Sequence, residues 1–268
     1  MSMDISHILR DWPFEPGQVT VRRVKGDDGR DKIQMRLDLG LLQMEAFGRP
    51  DGQQPHGVES LLDYHQQQLE QYRQEHGSEE GFHLDGHECQ LLRAESLLYY
   101  HRYVAQFVLE DFDAVERDTT RNLRVMDFCA AYARENSDRY QLEQYRPYVL
   151  MMRTRAICQR HLRDKRLRAA LAEVHRGIGE IQDFFRGIGQ DKIIESSGEI
   201  SVLKALAHEI RAEIPVDPVN HLKHALAKAV AEERYEEAAS LRDQIRKAAE
   251  DSSPPSGEAA PPTSEEKG

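Results

Sequence analysis

Long apolar runs are missing from this sequence. No stretch approaches the roughly 18 uncharged residues that a membrane-spanning helix needs, and Met1 to Trp12 shows no basic segment followed by an apolar run. Neither a span nor a leader is expected, and a cytoplasmic setting is. Cysteine is scarce: Cys89, Cys129 and Cys158 cannot all pair, and each sits inside a helical pattern, where a free thiol behaves as a small apolar side chain. That argues against a disulfide framework and for a reducing compartment. Positive charge is in deficit, 36 Lys and Arg against 47 Asp and Glu for a formal net charge of -11. Such a field repels phosphate backbones and anionic lipid, so neither direct nucleic-acid binding nor a membrane partner is expected. The turn-rich stretch Gly48 to Gly57 lacks the glycine spacing and Lys-Ser/Thr ending of a phosphate-cradling loop. No other nucleotide-binding or nuclease motif is legible.

What is present is charge and helical period. Charged residues make up 31% and hydrophobic ones 39%, and the mean hydropathy of -0.70 suits long solvated helix faces. The 268 residues allow one main domain and an appendage. Val19 and Val21, then Ile33, Met35, Leu37, Leu39 and Leu41, recur at every second position around the polar turn Gly26 to Asp31. This predicts a β-hairpin with one buried face, with Gly40 as a candidate bulge. From Val58 the period lengthens. Helices are expected over 58–76, 88–109 and 112–134, the last two antiparallel across the short Glu110-Asp111 connection. Pro147 fits the first turn of a further helix, and Asp164 is placed to cap the next. In that next helix Leu167, Leu171, Val174, Ile178, Ile181, Phe185 and Ile188 draw an a/d stripe of coiled-coil type, broken by Gly177 and Gly179. A final body helix spans 197–213, and Pro215 and Pro218 mark the boundary behind it.

The expected fold is mainly α: stacked antiparallel helical hairpins, solenoid- or bundle-like, with the small β-hairpin in front and a two-helix hairpin behind. The divisions are 1–57 for lead-in, β-hairpin and loop, 58–214 for the body, 215–218 for a linker, 219–250 for the terminal hairpin, and 251–268 for a Pro-, Ser- and Glu-rich tail of disordered composition. Leu109-Glu110-Asp111-Phe112-Asp113-Ala114-Val115 resembles the Leu-Gly-Asp-Tyr-x-x-Ala junction of a tetratricopeptide repeat, with Glu110 in the glycine slot. Leu162 to Ala170 is a fainter echo, too far downstream for that repeat's roughly 34-residue period.

Between His221 and Arg246 a second pattern is legible. Leu222, Leu226, Ala229, Val230, Glu233, Tyr235, Glu236, Ala238, Ala239, Leu241, Arg242, Asp243 and Ile245 together resemble the UVR motif of UvrB and UvrC, also present in the ClpC and McsA stress proteins. On the residues alone, Leu222, Leu226, Ala229 and Val230 line a first helix, Tyr235, Ala238, Leu241, Arg242 and Ile245 a second, and the chain turns at Glu233-Arg234. Small Ala229, Ala238 and Ala239 permit close backbones, Tyr235 is placed to cover the open end, and Arg242 and Asp243 to tie helices or a partner by charge-assisted bonds. So few large side chains bury little, so the hairpin needs a second surface. The resemblance implies that this surface is a protein, and that a like hairpin, including one from a second copy, would serve.

Two other clusters carry chemistry on paper. His83, His87 and Cys89, with Cys158 and His161, have metal-capable side chains, but the CxxC pairs of McsA-type zinc modules are absent, and no metal or cofactor is expected. Glu95, Glu110, Asp111, Asp113 and Glu116 surround one helix junction, where acid or base work requires burial. No catalytic residue is assigned. The reading is a non-enzymatic adaptor that docks through Leu222, Leu226, Val230, Tyr235, Ala238, Leu241, Arg242, Asp243 and Ile245. The alternatives are an accessory of nucleotide excision repair engaging UvrB- or UvrC-type partners, and an enzyme with an unrecognised helical site.

Overall fold

The alternating N-terminal segment folds as a three-stranded antiparallel meander, β1 (Val21–Lys25), β2 (Asp31–Arg36) and β3 (Leu41–Glu45), behind a short helix α1 (Ser6–Arg10). Register sets Val21 against Met35 and Ile33 against Met44, so one pleat face gathers Ile33, Met35 and Met44 into a buried cluster. The opposite face is polar but also covered: Gln34 lies between Arg22 and Gln43, and Arg36 Nε donates to the Trp12 carbonyl at 2.7 Å. The expected hairpin is therefore present with a strand added. The Leu-rich alternation conceals the second turn, where Leu37 N–H donates to Gly40 O at 2.9 Å and the Gly40 N–H returns to Leu37 O. Gly40 closes this turn and is not a bulge, and Leu39 at its tip is 91% exposed.

The computed structural model describes residues 4–215 and 218–251, which form two units divided between Glu213 and Ile214. The remaining helices of the first unit are α2 (Leu61–His76), α3 (Gly86–Val108), α4 (Phe112–Tyr132), α5 (Asn136–Tyr140), α6 (Arg146–Arg163), α7 (Leu167–Gly187), α8 (Ile193–Ser196) and α9 (Gly198–Glu213). Their starts follow from capping. The Ser60 hydroxyl accepts the Asp63 N–H before α2, and Asp85 and Glu88 form a reciprocal capping box before α3. Gly77 ends α2 in the left-handed conformation, φ 75°. In chain order α3 packs on α4, α4 on α6, α6 on α7 and α7 on α9, giving stacked helical hairpins. The sheet lies on α3 through Ala105, with Val104 and Leu109 beside it.

Glu110 and Lys165 occupy the left-handed region, φ 57° and 58°. In each case the next residue's N–H reaches back five residues, Asp111 to Gln106 O at 2.9 Å and Arg166 to His161 O at 2.8 Å. The α3–α4 and α6–α7 turns are thus the same Schellman turn, and the Leu162 to Ala170 echo reflects this shared geometry. Asp164 does not cap α7 as expected. It is the C-cap of α6, and Arg166 stands at the start of α7 without a side-chain cap.

The α7 stripe is rotated from the a/d expectation: Ala170, Glu173, Val174, Gly177, Ile181 and Phe185 are buried, while Ile188 is 41% exposed. The cause is Gly177. A Cβ built there would lie 2.1 Å from Thr154 Oγ1, so the glycine lets α7 press onto α6 instead of loosening the helix.

The second unit contains α10 (Pro218–Ala231) and α11 (Tyr235–Asp251), packed together as a hairpin. Pro218 opens α10 and so belongs to the helix, since a proline in the first turn loses no hydrogen bond. The composition-based expectation for the tail falls on 252–268, outside the described residues. Among the described residues no helix is long and apolar enough to cross a membrane.

Candidate docking hairpin and the buried charges of the body

The turn of the α10–α11 hairpin repeats the body's device. Glu233 has φ 56°, and Arg234 N–H donates to Ala229 O at 2.8 Å, reversing the chain within three residues. Arg234 then bonds Glu232 and Glu237 on either side of it, all at the surface. The helices approach through alanine, as expected: Ala229 is 0% and Ala238 7% exposed. Leu222 and Leu226 on α10, and Leu241 and Ile245 on α11, are half-buried. Their spacing with Ala229 and with Ala238 puts each set on one helix face, forming the inner seam.

Two predicted apolar residues lie outside that seam. Val230 is 51% and Tyr235 68% exposed. Tyr235, the first residue of α11, is too exposed to cover the open end. Arg242 and Asp243 do not tie the helices together. Both are exposed, and Asp243 pairs with Arg246 on its own helix at 3.3 Å. The hairpin therefore has a thin alanine seam and an outer set, Val230, Tyr235 and Arg242, turned to solvent.

The family model for the UvrB/uvrC motif matches residues 218–250, which are α10 and α11 almost end to end. The chain carries a UVR motif. The UVR hairpin occupies a small part of the molecule, and neither a curated protein nor a solved structure matches the chain.

The carboxylates singled out in the body separate into two kinds. Asp111 caps α4 and bonds Arg23 at 2.5 Å, Asp113 and Glu116 both bond Arg160, and Glu110 lies 3.8 Å from Arg163. These are surface pairs. Glu95 is 1% exposed and receives the Leu61 N–H at 2.9 Å together with the Arg121 guanidinium. Arg102 and Asp118, 1% exposed each, form a two-pronged pair with Nε–Oδ2 2.6 Å and Nη2–Oδ1 2.9 Å. Arg102 Nη1 also donates to Glu45 O at 3.1 Å and Gly48 O at 2.6 Å, pinning the end of β3 to α3. The Tyr99 ring lies beneath both Arg102 and Arg121, at 4.9 and 4.0 Å. Burial pulls the Arg121 pKa down to about 9, the largest cause being lost hydration.

Arg102, Asp118 and Arg121 line a cleft of about 540 Å³, with Glu59, Asp63 and Arg124 also among its lining residues. Sequence reasoning did not single out Arg102, Asp118 or Arg121. The signal was available: Arg102 falls at helical spacing with Tyr99, Tyr103 and Gln106, and Asp118 with Val115, Thr119 and Asn122. A charged residue on an apolar stripe needs a buried partner.

The His and Cys residues do not converge. His83 Nδ1 meets Gly81 O at 2.9 Å, whereas Cys89 is buried beside Cys129 and Cys158 lies on α6 near Glu173. Desolvation raises all three thiols, Cys129 to about 12 and Cys158 to about 11. Among the described residues no group of three or more His, Cys, Asp or Glu could hold a metal ion.

Proposed function

We propose that the chain is a non-enzymatic adaptor whose UVR hairpin docks on a partner protein while the helical body engages a second one. The observation that carries this reading is the family match to a hairpin whose Val230 and Tyr235 stand 51% and 68% exposed beside a seam of alanines. An outward tyrosine and arginine, Tyr235 and Arg242, are residue types that anchor protein interfaces. The pairing of the body's buried acids supports the non-enzymatic part, because Asp118 and Glu95 each already hold guanidinium groups.

Affinity capture from the source cell, with and without residues 219–250, tests it. The expected result is loss of at least one captured protein on deletion, with the same loss in Tyr235→Ala and Arg242→Ala variants of the full chain. An unchanged set of captured proteins defeats the docking reading, and unfolding of the truncated body assigns the segment a purely structural role. A second reading, an accessory of nucleotide excision repair, draws on the UvrB/uvrC motif itself. Direct pull-down with purified UvrB and UvrC separates the two, since only the repair reading requires retention.

A further inference from the structure

The polar face of the sheet holds two arginines that lack an acid. Three arginines are buried among the described residues, Arg36, Arg102 and Arg121. Arg102 and Arg121 hold Asp118 and Glu95, but Arg36, 9% exposed, forms no ion pair with a described residue. Its Nε donates to Trp12 O at 2.7 Å and its Nη1 to the carbonyls of Leu37 and Gly40. Arg22 shares the pleat face through its pairing with Gln34, to which its Nε donates at 2.8 Å, and its guanidinium lies 4.1 Å from the centre of the Trp12 ring. It too forms no ion pair with a described residue. With 47 Asp and Glu in the chain, the want of a carboxylate is local. A guanidinium that meets only neutral acceptors and a ring keeps its capacity for a charge-assisted pair, roughly twice as strong as a neutral bond.

One residue joins both arginines to the segment in front of the sheet. Across residues 4–19 Trp12 is the one buried residue: α1 buries none, and Phe14 and Val19 are 37% and 45% exposed. The segment is a strap fastened at a single point, and that point sits on both guanidinium groups. A carboxylate offers each of them the planar two-oxygen acceptor that a carbonyl and a ring do not. Trp12 itself stands in an irregular stretch of chain, 11–20, so the replacement it fits is another extended segment. We propose that residues 4–19 mask a docking site for an acidic extended segment of a partner protein, whose carboxylates take Arg22 and Arg36 as Trp12 leaves. The inference deepens the adaptor reading, on which it rests, by assigning the first unit its own ligand.

Trp12 is the only tryptophan, so intrinsic tryptophan fluorescence of the full chain reports the strap directly. Titration with hexaglutamate is expected to shift the emission to the red, and hexaglutamine to leave it unchanged. Labelled hexaglutamate, followed by anisotropy, is expected to bind Trp12→Ala about three- to ten-fold more tightly than wild type, the worth of a cation–π contact that no longer competes. Adding Arg22→Gln to Trp12→Ala is expected to weaken that binding about ten-fold or more, the loss of a charge-assisted bond. No binding of hexaglutamate by Trp12→Ala, equal binding of hexaglutamine, or indifference to Arg22→Gln overturns the proposal. Inorganic phosphate that displaces Trp12 equally well at the same ionic strength also overturns it, since a free ion then suffices. So does a fall of more than about 6 °C in the thermal midpoint of Trp12→Ala, which makes the strap a structural member. Failure here leaves partner capture by the UVR hairpin untouched, whereas capture that survives hairpin deletion defeats the adaptor reading and leaves the masked site standing.

Discussion

Replacing Arg102 by Met tests whether the buried charges organise the body. Methionine keeps the apolar stem and removes the guanidinium. Asp118, 1% exposed, then loses two bonds of 2.6 and 2.9 Å and retains only Arg117 Nε at 2.9 Å and the Gln106 amide nitrogen at 3.1 Å. Glu45 O and Gly48 O lose their donor at the same time. Breaking one partner out of a buried ion pair costs about 3–5 kcal/mol. For a body of this size each kcal/mol lowers the midpoint by roughly 2–4 °C, so a fall of about 6–20 °C is expected. The diagnostic step is the double variant Arg102→Met, Asp118→Leu. Removing both charges relieves the stranded carboxylate and is expected to recover more than half of the loss. Differential scanning calorimetry of the wild type, both single variants and the double variant gives the coupling directly. A fall below about 3 °C for Arg102→Met, or a double variant no more stable than the single, refutes the reasoning.

Gly177→Ala drives a methyl group into Thr154 and should cost about 1–3 kcal/mol in urea unfolding, only partly restored by Thr154→Ala, whose own Cβ would still lie 2.8 Å away. Gly179→Ala, with nothing within 4 Å of the new Cβ, should instead stabilise by about 0.5–1 kcal/mol. Glu110→Gly and Lys165→Gly each relieve a left-handed non-glycine residue and should raise the urea midpoint by the equivalent of about 0.5–1 kcal/mol. Burial depresses the pKa of His65, and likewise that of His101, below the usual 6.5. The unfolded chain then binds protons first as pH falls, so stability is full above 6.5 and declines below it until the folded-state values are passed. Urea midpoints at pH 7.5 and 5.5 should show that decline, and the doubly substituted His65→Gln, His101→Gln chain a smaller one.

Helices announce themselves through period and caps, and here the sequence predicts most of the long ones to within a few residues: Pro147 in the first turn of α6 and Gly77 behind α2 stand where their backbone constraints require. Errors arise where one residue serves two roles. Leu37, Leu39 and Leu41 keep the strand alternation through a turn, because a hydrophobic pattern carries no record of which carbonyl Gly40 will meet. Gly177 reads as a helix weakness in one dimension and proves to be the point of closest approach in three. The buried cluster stays hidden for a related reason: Arg102 and Asp118 are 16 positions apart, and nothing local pairs them. The motif of the UVR hairpin was the most readable feature, since its alanines, turn and aromatic lie within one short segment. The exposure of Tyr235 was not, because nothing in the local pattern separates a covering ring from an exposed one.

The three Schellman turns sharpen what the UVR hairpin requires. In the body, the strain at Glu110 and Lys165 is opposed by Val115, Leu123 and Met126 on α4 and by Val149, Leu150 and Ile181 across α6 and α7, all at most 6% exposed. At Glu233 the same strain, of about 1–2 kcal/mol for a left-handed non-glycine residue, is opposed by a seam whose buried members, among the described residues, are Ala229 and Ala238. An identical turn on a much thinner core is the weaker fold. Glu233→Gly should therefore stabilise the hairpin relatively more than Glu110→Gly stabilises the body, read as slower amide exchange across 222–245. A bound partner should slow the same amides in the unsubstituted chain by covering Val230 and Tyr235. If exchange across α10 and α11 in the free chain is already as slow as across α4 and α6, the hairpin is self-sufficient and the argument that it needs a second surface fails.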